Sequence, residues 1–296
     1  MNNQIKTVIL MSIMTIFIII IGGLLGGQVG MIFAFIFACG MNFVSYWYSD
    51  KIVLKMYNAQ LITPGQEPEL YNSVEELTRR AGIPVPKIYI IPTEDLNAFA
   101  TGRNPEHAVV AVTMGLLRNM NKEEVMGVLA HEIAHIKNRD ILIGTIAASM
   151  AGAIMMIANM AKWSAIFGIG RNRDDEGGLG VFGTIVLSII APMAAVLIQM
   201  AISRSREYLA DSTGASFMGS GESLAKALET LEHRPQRISM EVNPATAHMF
   251  IVNPLSGKNL MALFSTHPPI EDRIRRLRGG SPNDYGQRRN TWDNLS

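Results

Sequence analysis

His131-Glu132-Ile133-Ala134-His135 places two imidazoles and a carboxylate within five consecutive positions. On a helix, residues four apart share a face with their Cβ atoms about 6 Å apart, so both rings can reach one cation. Neutral imidazole nitrogens at about 2.0–2.1 Å suit Zn²⁺. Glu132 directly follows the first histidine, and its carboxylate can reach an activated water without binding the metal itself. The pattern points to metal-assisted hydrolysis, with His131 and His135 as candidate ligands and Glu132 within reach of a metal-bound water.

A catalytic zinc takes three protein ligands and keeps one position open. The extended pattern H-E-x-x-H-x-x-G-x-x-H would supply the third ligand locally, but this chain has Asn138 and Ile141 where that pattern needs its glycine and last histidine. A carboxylate from another helix is expected instead. The segment 205–211 offers Glu207 and Asp211, four apart and therefore on one helix face. One of them can bind the metal while the other orients a ligand histidine through its second ring nitrogen. On spacing alone, both also fit as ordinary carboxylates near a helix end. Asp140, closing the motif segment, reads as a cap or a carboxylate behind a ligand. His267 and Arg273 come late in the chain. Either can donate to a developing oxyanion or pair with Asp211. His107, His233 and His248 have no partner pattern.

These residues need a scaffold. Asn121-Lys122-Glu123-Glu124 predicts the start of the motif helix, with Asn121 as cap and Glu124 completing a capping box. Upstream, Pro86 and Pro92 bracket a strand, and His107–Thr113 is a second β-rich run. Asn97, Ala98, Phe99 and Ala100 lead through Thr101 to Gly102 and read as a short extended stretch. They can form an edge strand that pairs with the backbone of an extended substrate. Residues 67–82 predict a surface helix, with early glutamates, late arginines and a terminal glycine matching the helix dipole.

The rest of the chain is apolar. No charge occurs between Lys6 and Asp50, and one helix over that run would be about 65 Å long against a bilayer core of about 30 Å. Two spans joined by the glycine-rich stretch around Gln28 fit, with Tyr46, Trp47 and Tyr48 at an interface. A cleaved signal peptide has a far shorter apolar run. Ile141–Ala161 and Leu179–Ile202 predict a second pair of spans, the latter bent at Pro192. The alternative is that this pair lies against the catalytic domain without crossing. Lys6, Lys51, Lys55, Lys137, Arg139, Arg204 and Arg206 flank the runs on one side, which places the polar segments 50–140 and 203–296 in the cytoplasm. The expected organisation is a hairpin over residues 1–49, the first part of a catalytic domain over 50–140, a second hairpin over 141–202, and the remainder of the domain over 203–296.

The 296 residues are 48% hydrophobic and 17% charged, which excludes a disordered chain. With 26 basic and 25 acidic residues, the net charge of +1 supplies no field for nucleic acid. Cys39 is the single cysteine and cannot form an internal disulfide. A transporter would carry charges inside its spans, and these runs carry none. Two rivals remain: a membrane scaffold with a degenerate metal site, to be separated by zinc binding without cleavage, and a processing metallopeptidase of narrow specificity, to be separated by a digest of several unfolded proteins.

Taken together, the hairpin, Asn97–Gly102, HEIAH, the second apolar pair, Arg206-Glu207-x-x-Ala210-Asp211 and Thr266-His267-Pro268-Pro269 with Arg273-Ile274 resemble the HtpX-type membrane zinc metalloproteases. These are bacterial relatives of the CAAX prenyl endopeptidases. The resemblance implies an α+β fold with a zincin-like core, built from a small sheet and the HExxH helix, and four transmembrane helices. It implies His131, His135 and Glu207 as ligands of one Zn²⁺ per chain and Glu132 as general base. It also implies a multi-pass protein of the cytoplasmic membrane that cuts unfolded or damaged membrane proteins. Oligomeric state and cleavage preference are not implied.

Overall fold

The computed structural model describes residues 3–148, 150, 204–233, 251 and 268–280. Its centre is a sheet of order β1-β2-β4-β3. β1 (Gln60–Leu61) pairs antiparallel with β2 (Lys87–Ile91), and β2 pairs parallel with β4 (Ala108–Thr113) from Lys87↔Val109 to Ile91↔Thr113. β3 (Ala98–Gly102) runs antiparallel to β4, with Ala98 opposite Val112 and Gly102 opposite Ala108. The extended stretch read from the sequence is thus an edge strand. β4 is buried at every position, as expected of a strand covered on both faces.

Alternation along the strands assigns the two faces. Ala98, Ile88, Val110 and Val112 join one apolar cluster with Leu77 of α2 (Pro68–Ala81) and Leu129 and Ile133 of α4 (Lys122–Lys137). Phe99, Ile91, Val109 and Ala111 face the other way, onto Val53 and Leu54 of α1 (Asn3–Met56), onto Tyr57 just beyond it and onto Ala148. Fully burying a Leu, Ile or Phe contributes roughly 1.5–3 kcal/mol, so both clusters hold the sheet firmly between two helical layers.

α4 begins at the capping box predicted for it: Glu124 N donates to Asn121 Oδ1, and Asn121 N donates to Glu124 Oε2, each at 2.9 Å. α2 ends at Gly82, whose φ of 68° is the left-handed conformation that favours glycine. A short helix not foreseen from the sequence, α3 (Met114–Asn119), joins β4 to α4, and the Thr113 side chain accepts from Leu116 N at its start.

α1 is continuous in hydrogen bonding but not straight. Asn42 Nδ2 donates to Thr15 Oγ1 at 2.8 Å across 27 positions, which a straight helix would hold about 40 Å apart. The reversal is at Gly27, with φ 56°. The arms then close so tightly that a Cβ on Gly22 would stand 2.5 Å from the Gly30 carbonyl oxygen. Gly27–Met56 is long and apolar enough to cross a membrane; the other arm, Ile5–Ile20, is shorter. A helix over residues 141–148, α5, follows α4. Its Ile143, Ile146 and Ala147 pack on Leu10 and Met14 of α1. The rest of the second apolar pair, including Pro192, lies outside the described residues. Among the described residues, one of the four predicted spans is a clear span candidate.

Three further helices complete the described fold: α6 (Arg204–Met218), α7 (Glu222–His233) and α8 (Ile270–Leu277). α6 lies almost against the backbone of α4. A Cβ on Gly214 would sit 2.9 Å from the Ala130 carbonyl oxygen and 3.0 Å from His131 N.

Candidate metal centre

α4 is buried on most of its surface, and its motif side chains point where α6 crosses. His131 Nε2 and His135 Nε2 stand 3.1 Å apart. Glu207 on α6 closes the group, with Oε2 3.6 Å from His131 Nε2 and Oε1 3.7 Å from His135 Nε2. One ligand atom from each of the three lies within 4.8 Å of the others, a spacing that could hold a metal ion. Two nitrogens on a tetrahedral Zn²⁺ at about 2.0–2.1 Å are separated by roughly 3.3 Å, so the donors fit that ion.

The opposite ring nitrogens are both occupied. His131 Nδ1 lies 2.9 Å from Asp211 Oδ1. His135 Nδ1 lies 3.0 Å from both oxygens of Asp140. A carboxylate on each Nδ1 fixes the proton there and turns the Nε2 lone pair toward the shared point. Of the two carboxylates four apart on α6, Glu207 therefore faces the donor group and Asp211 stands behind a histidine. Asp140 takes the matching place behind the second.

Arg273 of α8 is fully buried and grips Asp211 in a fork, Nε to Oδ2 at 2.9 Å and Nη2 to Oδ1 at 2.7 Å. This is the pairing with Asp211 that the sequence left open against an oxyanion contact. Burial alone would raise Asp211, but the Arg273 charge and the His131 bond outweigh it and hold the carboxyl well below its usual range. For His135 burial acts downward, and Asp140, then Glu207 and Glu132, override it and push the imidazole up to about 10. His131 is also raised, its bonds to Asp211 and Glu207 outweighing burial. Glu132 is raised by burial against the pull of both histidines. A metal-free group of this kind holds protons in place of a cation. Glu132, Asp140, Glu207 and Asp211 set four negative charges against Arg206 and Arg273.

Glu132 does not join the donor group. Its Oε2 accepts from the Ala100 N–H of β3 at 2.8 Å, so the motif carboxylate touches the edge strand. Ala98 and Phe99 pack into the two clusters on opposite faces of the sheet. Asn97 precedes the strand; its Oδ1 accepts from Ile251 N at 3.1 Å. His267 lies outside the described residues. His107 binds Asn104 and His233 its own helix, neither near the group.

One residue, read from the sequence as a flanking charge and as the start of the Arg206-Glu207-x-x-Ala210-Asp211 pattern, was given no role at the site. Arg206 is buried, with Asp140 and Glu207 as the charges that act on it, and its Nη1 lacks a hydrogen-bond partner among the described residues. Its place directly before Glu207 was visible, but nothing in its spacing pointed to burial.

Residues 64–281 match Peptidase family M48. A protein called Protease HtpX homolog from Desulfatibacillum aliphaticivorans is 62% identical over 286 residues, covering 97% of this chain and 92% of its own. One of the same description from Desulforapulum autotrophicum is 63% identical over 288 residues, covering 97% and 93%. Among solved structures, the crystal structure of Ste24p from S. mikatae is similar with a TM-score of 0.48 and 19% identity, covering 83% of this chain. The chain spans 57% of the length of that structure.

Proposed function

We propose that this chain, which belongs to Peptidase family M48 and is a membrane metalloprotease, cuts peptide bonds of unfolded or damaged membrane proteins with one Zn²⁺ per chain. The observation that carries the reading is the convergence of three donors, His131, His135 and Glu207, beside a fourth group, Glu132, that stays out of the donor set. Bound there, Zn²⁺ would polarise the substrate carbonyl and make water a competent nucleophile near neutral pH.

The chain's own residues supply the rest. Asp211 and Asp140 hold the two imidazoles in the tautomer that leaves Nε2 free. Arg273 keeps Asp211 ionised in a buried place. Glu132 takes a proton from the attacking water onto its carboxylate and delivers it to the leaving amine. Burial favours the protonated form of Glu132, which suits a group that must carry that proton between two steps. β3 lines up an extended substrate backbone, and because such pairing uses main-chain atoms it makes few demands on substrate sequence. His267 is a candidate donor to the oxyanion. The hairpin over 1–49 and the pair within 141–202 cross the cytoplasmic membrane, and residues 50–140 and 203–296 share its cytoplasmic side.

Metal removal is the test. Chelation of the detergent-purified protein followed by dialysis should abolish cleavage of an unfolded protein, and about one equivalent of Zn²⁺ should restore it. Undiminished cleavage after the metal is gone would refute the reading.

A further inference from the structure

Trp47 and Tyr46 are exposed at the end of the uncharged stretch of α1, just before Asp50 and Lys51. Aromatic side chains in that position mark the boundary of a bilayer. The helix continues to Met56, and β3 lies along its last turns. At one end Phe99 packs on Tyr57, ring centroids 5.7 Å apart. At the other the Arg103 guanidinium lies over the Trp47 ring at 4.5 Å. The two spacings are comparable. The nine helical steps from Trp47 to Met56, the residue before Tyr57, rise about 14 Å, and the three strand steps from Phe99 to Gly102, the residue before Arg103, rise about 10 Å. The strand therefore points back along α1 toward the aromatic boundary. A buried contact of 3.0 Å between Thr101 Oγ1 and Thr145 Oγ1 ties its middle to α5 as well.

An edge strand is ordinarily the loosest part of a sheet. This one is fixed at both ends and in the middle to helices that lead into the apolar part of the chain. Ala100, whose N–H meets Glu132, lies three residues from Arg103, the residue just beyond the strand, a reach of about 10 Å.

We propose that β3 acts as a ruler. It holds Glu132 at a set height of about 10 Å from the bilayer boundary, so a membrane protein is cut a few extended residues beyond the end of one of its spans. Polarity follows from the strand direction. Antiparallel pairing is somewhat more stable per residue than parallel pairing. A substrate antiparallel to a strand that points at the membrane runs away from the membrane from its N- to its C-terminus. The favoured substrate therefore has its span on the N-terminal side of the cut. This deepens the proposed function and rests on its reading of β3 as the strand that pairs with substrate.

The test places the full chain in liposomes with two designed substrates. Each has one transmembrane helix and a flexible tail of about 40 residues in which one cleavable segment repeats. The tail follows the helix in one substrate and precedes it in the other. Cuts mapped by mass spectrometry should cluster within roughly the first ten residues after the helix. A spacer inserted next to the helix should leave that distance unchanged and shift the cut within the sequence. Cuts spread along the tail, or cuts that follow the sequence, overturn the ruler. Equal rates on the two substrates overturn its polarity. Trp47→Ala should broaden the distribution while an unfolded soluble protein in detergent is cut at the unaltered rate; an unchanged distribution refutes the tie to α1. Failure of the wild-type chain to cut that soluble protein would instead sink the peptidase reading, and the ruler with it.

Discussion

Asp140 and Asp211 bind no metal in this scheme, yet each decides how a histidine presents its nitrogen. Removing such a partner usually lowers metal affinity about 10–100-fold. Asp140→Asn and Asp211→Asn should each do so, measured by competition with a chelating dye, while the helices remain folded. Arg273 is a harsher case. Truncating it to alanine leaves the Asp211 carboxylate buried without its cation, a loss of about 3–5 kcal/mol where a buried pair is broken. Arg273→Ala should therefore lower the melting temperature, and Arg273→Lys should recover only part of it, because an ammonium cannot make both bonds of the fork. At this scale the sequence was informative where helical spacing did the work. His131, His135, Glu207 and Asp211 were all legible as four-apart pairs. The resemblance implied Glu207 as the ligand, but spacing alone did not choose it over Asp211, because spacing gives a shared face and not the rotation of α6 against α4. The burial of Arg206 escaped for a similar reason: burial is a property of neighbours, and Asp140 comes from a segment far from it in the chain.

The crossing of α4 and α6 is what brings Glu207 to the histidines, and it depends on Gly214. A methyl there would collide with the backbone at Ala130 and His131. Gly214→Ala should push α6 away from α4 and weaken metal binding although residue 214 lies two turns from Glu207. Its readouts are the metal affinity and the melting temperature, and normal values for both would contradict the close-packing account. Asn121→Ala removes the cap of α4 and should cost about 1 kcal/mol of stability, with little change in metal affinity because the cap lies ten residues from His131. Local signals of this kind were readable in advance. Prolines bracketed β2, the capping box opened α4 and a glycine ended α2. Sheet order was not. Nothing in the periodicity of Asn97–Gly102 says that it pairs with β4 rather than β2, since edge placement is decided by the parallel crossover from β2 to β4.

At the scale of the molecule, two apolar clusters sit on the two faces of one sheet. One joins it to α2, α4 and α7; the other joins it to α1 and α5. The apolar hairpin of α1 is therefore part of the catalytic fold rather than a tether beside it. Composition revealed the hairpin, and glycine spacing its reversal. That its exit helix runs on to Met56 and forms a face of the sheet was hidden, because the charges at Asp50 and Lys51 read as the end of the hairpin. The central claim remains chemical: a metal held by His131, His135 and Glu207, with Glu132 carrying the proton. The most direct measurement is cleavage of an unfolded protein by the detergent-purified, Zn²⁺-loaded chain beside its Glu132→Gln variant, with metal content determined for both. The account predicts equal metal in the two proteins and a rate at least about a hundredfold lower in the variant. Equal metal with equal rates would contradict it.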